Sequence, residues 1–180
     1  DATVSGKDSN SNLSISDNGA TTTDQITVES KAALAILTVY TTPTLVSRSQ
    51  TGLTVKFDVQ NSGQASANIT GSSLKFSQSQ TLLEGNENNN YSVTPSVNNA
   101  TLITGGGSAT FEYTVEVYNS ATLGTAYISS LISGNDANSG SSVSVTGASN
   151  YDSWTLQSKA QISFSSVYSL DEVPGTVTIQ

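Results

Sequence analysis

A short loop rich in side-chain oxygens occurs twice in the sequence. The first copy is Asp8-Ser9-Asn10-Ser11-Asn12, and the second is Asp136-Ala137-Asn138-Ser139-Gly140. A hard cation such as Ca²⁺ gathers about six to eight oxygen ligands, and a compact loop with oxygens at alternate positions can supply several of them. This spacing predicts a calcium site with the following side-chain ligands: Asp8, Asn10, Asp136 and Asn138.

A second interpretation of the same loops needs no metal. Each loop has a single carboxylate, and no acidic residue closes it about twelve positions further on, where a calcium loop places one. Asp and Asn also form turns by accepting hydrogen bonds from the backbone that follows them. The sequence therefore leaves open a calcium loop and a plain Asx-turn.

Four N-x-S/T triplets are candidate glycosylation sites. In a secreted protein such triplets accept glycans, which would shield a surface that has no disulfides. Triplets of this kind also arise by chance in a chain rich in Asn, Ser and Thr. The predicted acceptors are Asn12, Asn68, Asn90 and Asn99.

The residues that most enzymes need for acid–base chemistry are scarce. The chain has no His, the commonest general base and the commonest transition-metal ligand. Glu112 and Glu116 fall on one face of a predicted strand, whereas glycoside hydrolysis needs two carboxylates facing each other across a cleft. We therefore expect a protein that is not an enzyme.

Tyrosines are the remaining candidates for a binding site. Tyr91, Tyr118, Tyr127 and Tyr151 could line a groove for a carbohydrate, although a tyrosine on a strand is more often half-buried. Surface glycan thus stays open as a partner.

The two loops belong to a longer internal repeat. Residues 4–32 align with residues 132–160 at a constant offset of 128, and fourteen of the 29 pairs are identical. Apolar positions also correspond, with Ile15 opposite Val143 and Ile26 opposite Trp154. A tandem array with a unit of 128 residues is the simplest account of this pattern.

Composition excludes several classes of protein. Six Lys and Arg stand against fourteen Asp and Glu, for a net charge of −8, and the positive residues form no stripe that could neutralise phosphates. We therefore expect no nucleic-acid partner. No run of about 18 apolar residues predicts a membrane span. An acidic surface rich in Ser, Thr and Asn, in a chain without Cys, suits an extracellular, cell-surface protein.

Alternation of apolar and polar residues predicts an all-β protein. Residues 52–60 and 108–118 both show a period of two, and turn signals such as Asn61-Ser62-Gly63 separate the segments. The pattern predicts an antiparallel, Ig-like β-sandwich. Further strands are expected at 33–41, 67–78, 90–94, 124–133, 141–146, 152–158 and 161–168. The predicted core consists of Leu53, Val55, Phe57, Leu74, Phe76, Phe111, Tyr113, Val115, Ile128, Leu131, Trp154 and Leu156.

Two stretches also carry a family resemblance. Residues 59–67 read VQNSGQASA, and residues 106–117 read GGSATFEYTVEV. They resemble the Ig-like repeats of bacterial and archaeal cell-surface proteins, such as the CARDB-like domains, in which a V-x-N-x-G-x-A-x-A turn precedes a G-G-S-A-T-F-x-Y-T-V-x-V strand. That family usually has Gly-Gln after Val-Ser, whereas this chain has Arg48-Ser49-Gln50. The resemblance implies a secreted, tandemly arrayed, non-enzymatic surface module.

The repeat suggests how the chain is organised. We interpret residues 1–31 as the end of a preceding unit, residues 32–159 as a complete sandwich and residues 160–180 as the start of a following unit. The two end pieces form strands, and unpaired strand edges invite pairing. Their partners would be neighbouring subunits joined head to tail by strand addition, or flanking repeats of one longer polypeptide.

The sequence favours a structural role outside the cell. We expect a subunit or repeat module of a cell-surface assembly, such as a filament, a surface layer or an adhesin stalk. The alternative is a glycan-binding adhesin module in which Ca²⁺ stabilises a loop. No other cofactor is expected.

Overall fold

The protein is all-β. A computed structural model describes residues 3–19, 24–80, 88–147, 149–165, 168–169 and 177–178. A 3₁₀ turn at Asn88–Asn90 leads directly into the strand Tyr91–Pro95. The described residues contain no helix with the length and hydropathy of a membrane span. The strands are β1 (Val4–Lys7), β2 (Ser14–Asp17), β3 (Leu34–Thr42), β4 (Leu45–Ser47), β5 (Leu53–Asn61), β6 (Ala67–Ser77), β7 (Tyr91–Pro95), β8 (Leu102–Ile103), β9 (Ser108–Val117), β10 (Gly124–Asp136), β11 (Ser142–Thr146), β12 (Asp152–Gln157), β13 (Tyr168–Ser169) and β14 (Val177–Thr178).

The chain divides into two compact units. The smaller unit, Asp1–Ser30, contains an antiparallel hairpin of β1 and β2. The larger unit, Lys31–Gln180, contains the remaining strands.

Two sheets form the body of the larger unit. One has four strands in the order β3-β5-β9-β7, and the other has the order β4-β12-β10-β6-β8, with β11 also paired to β10. Among the described residues of these two sheets, β4 pairs with β12 in parallel and the other pairings are antiparallel. Both sheets contribute to one hydrophobic core, an arrangement consistent with a β-sandwich.

Alternation along the strands builds this core. In β5, Leu53, Val55, Phe57 and Val59 are buried, while the residues between them are half-exposed. Phe57 stacks on Phe111 with a ring-centroid distance of 5.2 Å. Burial of each such side chain contributes roughly 1.5–3 kcal/mol. The core therefore confirms eleven of the twelve predicted core residues.

Leu131 is the predicted core residue that the structure places elsewhere. Along β10 the buried positions include Ile128, Ser130 and Ile132, so Leu131 points to the opposite face and is only half-buried. The error was one of parity, because residues 128 and 131 cannot share a face of one strand.

The predicted strand at 161–168 is also largely absent. Residues 161–165 have no strand structure, residues 166–167 lie outside the described residues, and β13 starts at Tyr168. The corresponding strand of the repeat, β3, is held in place by pairing with β5. A strand sequence needs such a partner for its backbone groups.

The start of the larger unit and the end of β12 lie at opposite ends of β10. Ala32 is bonded to Asp136 at the end of β10, whereas Leu156 lies opposite Gly124 at its start. With a rise of about 3.3 Å per residue, these points are roughly 40 Å apart along β10.

Candidate functional site

The loop between β10 and β11 is organised around the carboxylate of Asp136. Its Oδ1 accepts hydrogen bonds from the backbone N–H of Ser139 (2.7 Å), the hydroxyl of Ser139 (2.8 Å) and the backbone N–H of Asn138 (3.1 Å). These bonds define an Asx-turn, the alternative that the sequence left open.

The second oxygen of Asp136 ties the loop to a distant segment. Oδ2 accepts the backbone N–H of Ala32 at 2.7 Å, and Asp136 is only 2% exposed. The bond from Ala32, followed by those from Ser139 and Asn138, lowers the pKa of Asp136 to about 2, because each donor favours the ionised form. Asp136 thus connects the start of the larger unit to the end of β10.

Lys31 adds a second bond at the same place. Its Nζ donates to the backbone oxygen of Ser142 at 3.0 Å. The Lys31-Ala32 segment is therefore bonded through both its side chain and its backbone to the hairpin of β10 and β11. We call these four residues the junction: Lys31, Ala32, Asp136 and Ser142.

The motif Asn61-Ser62-Gly63 also contacts the segment that starts at Lys31. Asn61 is buried, and its side-chain oxygen accepts the backbone N–H groups of Ala33 (3.0 Å) and Gly63 (3.2 Å). A Cβ atom on Gly63 would lie 2.1 Å from the backbone oxygen of Lys31, so only Gly allows this approach. The resemblance motif thus has a structural role here.

The hairpin of β1 and β2 reproduces the hairpin of β10 and β11. Val4 pairs with Asp17 and Lys7 with Ser14, which at the offset of 128 are the pairs Ile132–Val145 and Asn135–Ser142. The registers are therefore identical.

The turn of the first hairpin has the same bonds as the second. Asp8 Oδ1 accepts the backbone N–H of Ser11 (2.7 Å), its hydroxyl (2.7 Å) and the N–H of Asn10 (3.1 Å). Asn12 has a φ of 57°, and its counterpart Gly140 has a φ of 69°. The bonds from Ser11 and then Asn10 lower the pKa of Asp8.

The two hairpins differ in what covers them. Asp8 is exposed. Oδ2 of Asp136 accepts a hydrogen bond from the backbone N–H of Ala32, whereas no described residue donates a hydrogen bond to Oδ2 of Asp8. Val4 is 69% exposed, whereas its counterpart Ile132 is 0% exposed and belongs to the hydrophobic core.

The predicted calcium ligands do not converge beyond these turns. Asp136 already accepts four bonds from protein donors, and Asp8 accepts three. Among the described residues, no group of three or more His, Cys, Asp or Glu side chains could hold a metal ion. Calcium at Asp8, Asn10, Asp136 and Asn138 stays a prediction.

Asp152 was not singled out from the sequence as a structural residue. Its Oδ2 accepts the backbone N–H (2.7 Å) and the hydroxyl (2.9 Å) of Thr41, near the end of β3. Asp152 corresponds to Asp24, so identity at the offset of 128 was the available signal. Asp136 and Asp152 thus hold β3 at its two ends.

The candidate glycan acceptors differ in accessibility. Asn12 and Asn68 are exposed. The side chain of Asn99 instead donates to the backbone oxygen of Glu112 (3.1 Å) and accepts its N–H (2.8 Å). Asn90 is half-buried and accepts the N–H of Thr122 at 3.4 Å. Asn12 and Asn68 are the more open of the four.

The four tyrosines occupy three different environments. Tyr91 is buried beside Phe76 and Trp154, with its ring centroid 5.6 Å from that of Trp154. Tyr118 is exposed. Tyr127 and Tyr151 meet edge to face at 5.7 Å, and Gln80 donates to the Tyr151 hydroxyl. Of these four tyrosines, Tyr127 and Tyr151 form an aromatic pair near the surface.

A polar groove lies beside the end of β12. It is lined by Arg48, Asn119, Gln157 and Lys159, and Arg48 Nε donates to the backbone oxygen of Ala121 at 2.7 Å. Its lining residues come from separate parts of the chain, so no sequence motif marks this groove.

Comparisons with known proteins give no family. No protein-family model and no curated protein matches the chain. Among solved structures, it is similar to the secreted serine protease VesC from Vibrio cholerae, with a TM-score of 0.37 and 15% identity over 69% of this chain. The match covers 23% of that protein, and a likeness of this size carries no argument about function.

Proposed function

We propose that this protein is a structural module of an extracellular cell-surface assembly, built from Ig-like sandwiches that repeat every 128 residues. One observation carries the proposal. The two segments related by the repeat form hairpins of identical register, but Val4 of the first is 69% exposed whereas its counterpart Ile132 in the second is buried. A hairpin of this kind is the closing piece of a sandwich, and its exposed apolar side chains fit a neighbouring unit.

The Ig-like assignment is supported by the arrangement of the larger unit. Two sheets enclose a core in which the buried Trp154 lies beside Phe76 and Tyr91. The motif from Val59 to Ala67 resembles that of CARDB-like repeats. Within it, Asn61 accepts the backbone N–H of Ala33, and Gly63 packs against the backbone of Lys31 at the start of the larger unit. Exposed Asn12 and Asn68 are the glycan acceptors we expect on such a surface.

Imaging of the native material tests this proposal. Cells of the source organism would be labelled with an antibody raised against the larger unit and viewed by electron microscopy. We expect label on a filament, stalk or surface lattice, and a lattice or filament spacing that matches repeated sandwiches. Label found only in the cell interior, or on material with no higher-order assembly, would contradict the proposal.

A second function, glycan binding, is favoured by the pair of Tyr127 and Tyr151. Tyrosines near a surface can stack on sugar rings, and Gln80 adds an amide beside them. On a glycan array, Tyr151→Ala should abolish saturable binding, whereas the control Tyr118→Ala should retain it. An array without saturable binding would remove this alternative.

A further inference from the structure

The junction shows what holds the start of a unit to its closing hairpin. The backbone N–H of Ala32 bonds to Asp136 Oδ2 at 2.7 Å, and Lys31 Nζ bonds to the oxygen of Ser142 at 3.0 Å. Two donors on consecutive residues thus meet two acceptors on one hairpin.

All four junction residues occur a second time, as two separated halves. The acceptor half is Asp8 and Ser14 on the first hairpin, and the donor half is Lys159 and Ala160 after β12. Each residue is identical to its counterpart in the junction. All four are exposed, and among the described residues none of these four groups has the partner that its counterpart has.

Apolar side chains accompany each half. Ile26 and Val28 are 90% and 89% exposed, while their counterparts Trp154 and Leu156 are buried. On the donor side Phe164 is 76% exposed, and its counterpart Ile36 is buried. Each half is therefore accompanied by exposed apolar side chains at positions that are buried in the larger unit.

We propose that the two halves bind each other between copies of this chain. Lys159 and Ala160 of one copy lie against the first hairpin of the next, with the Ala160 N–H bonded to Asp8 Oδ2 and the Lys159 ammonium bonded to the backbone oxygen of Ser14. The proposal rests on the proposed function and names the partner as a second copy of this chain. Because the two surfaces differ, the contact is heterologous and extends into a linear polymer unless it closes into a ring.

The first test is sedimentation of the 180-residue chain over a range of concentrations. We expect the wild type to form dimers and longer oligomers as concentration rises. Asp8→Asn keeps the Oδ1 acceptor that builds the turn but replaces Oδ2 with an amide donor. Ala160→Pro removes the N–H of the donor half. Each change should weaken association about tenfold or more, because a charge-assisted hydrogen bond is lost.

Mixing the two variants gives a sharper result. Asp8→Asn retains an intact donor half, and Ala160→Pro retains an intact acceptor half. At concentrations at which the wild type assembles and each variant alone stays monomeric, their equimolar mixture should therefore form dimers that do not grow. Asp17→Asn and Ala160→Gly are the matched controls, since they alter the same hairpin and the same backbone position but leave the acceptors and donors of the proposed contact in place. Both should associate like the wild type.

Several outcomes would overturn the proposal. They are a wild type that stays monomeric at all concentrations, variants that associate like the wild type, or a mixture that grows beyond dimers. If Ala160→Pro disturbs the fold, seen as a lower melting temperature, Lys159→Ala tests the same half without changing the backbone. This test is independent of the imaging above, so a monomeric chain can be distinguished from a protein that is not part of a surface assembly.

Discussion

At the scale of single residues, the Asp136 carboxylate joins segments that lie 104 residues apart in the chain. Its turn was predictable, because Asp followed by Asn and Ser is a frequent turn sequence. Its bond to Ala32 was not, because the donor is a backbone N–H with no side-chain signature. Local chemistry was therefore accessible from the sequence, whereas the long-range partner was not.

Asp136 should make the stability of the larger unit depend on acidic pH. Its pKa of about 2 in the folded protein lies below its ordinary value of 3.8, so the ionised form is favoured by folding. The contribution is complete above about pH 4 and is lost as the pH falls through about 2. Asp136→Asn should therefore lower the melting temperature at pH 7, and its difference from the wild type should shrink towards pH 2.

Melting curves of both proteins between pH 7 and pH 2 check this expectation. Asp17→Asn, in the hairpin of the smaller unit, is the control and should leave the transition of the larger unit unchanged. A constant difference between Asp136→Asn and the wild type over the whole pH range would contradict the role of the ionised carboxylate.

At the scale of elements, the strands with strict alternation were predicted to within about a residue. β5 and β9 have uninterrupted periods of two, and their buried faces follow directly. Short strands such as β4 and β8 have too few residues to show a period. Residues 161–165 have a strand pattern without the partner that β5 provides for β3, so propensity alone did not determine their structure.

Two adjacent residues of β10 test whether its two faces are packed differently. Ile132 is fully buried, and Leu131 is half-buried on the opposite face. Ile132→Ala should lower the free energy of unfolding by about 2–5 kcal/mol, because it removes core contacts and leaves a cavity. Leu131→Ala should cost less than half as much. Urea denaturation of the two variants measures this difference, and equal losses would show that both faces of β10 are equally packed.

At the scale of the whole molecule, charge opposes self-association. The chain carries a net charge of −8, so two copies repel each other in dilute buffer. In the proposed contact, the Lys159 ammonium donates to a neutral backbone oxygen, and the Asp8 carboxylate accepts from a backbone N–H. The contact therefore contains no ion pair. Association of the wild type should therefore strengthen as salt rises from about 0.01 to about 0.15 M, where the Debye length falls from roughly 30 to 8 Å.

Sedimentation at a fixed protein concentration tests this salt dependence, with sucrose of equal osmolality as the uncharged control. Weaker association at higher salt would indicate that ion pairs dominate the contact between copies.

The start of β3 and the end of β12 lie at opposite ends of β10, and this placement has a mechanical consequence. A force applied through Lys31 and Ser158 pulls β3 and β12 towards opposite poles, so the bonds of β12 to its parallel neighbour β4 are sheared together rather than unzipped one by one. The bonds between Thr155 and Thr44 and between Arg48 and Gln157 lie in that path. In an optical trap, rupture through these handles should need a higher force than rupture through Ser62 and Gly107, where neighbouring ends of β5 and β9 peel apart. Equal rupture forces would mean that the orientation of the strands does not govern tensile strength.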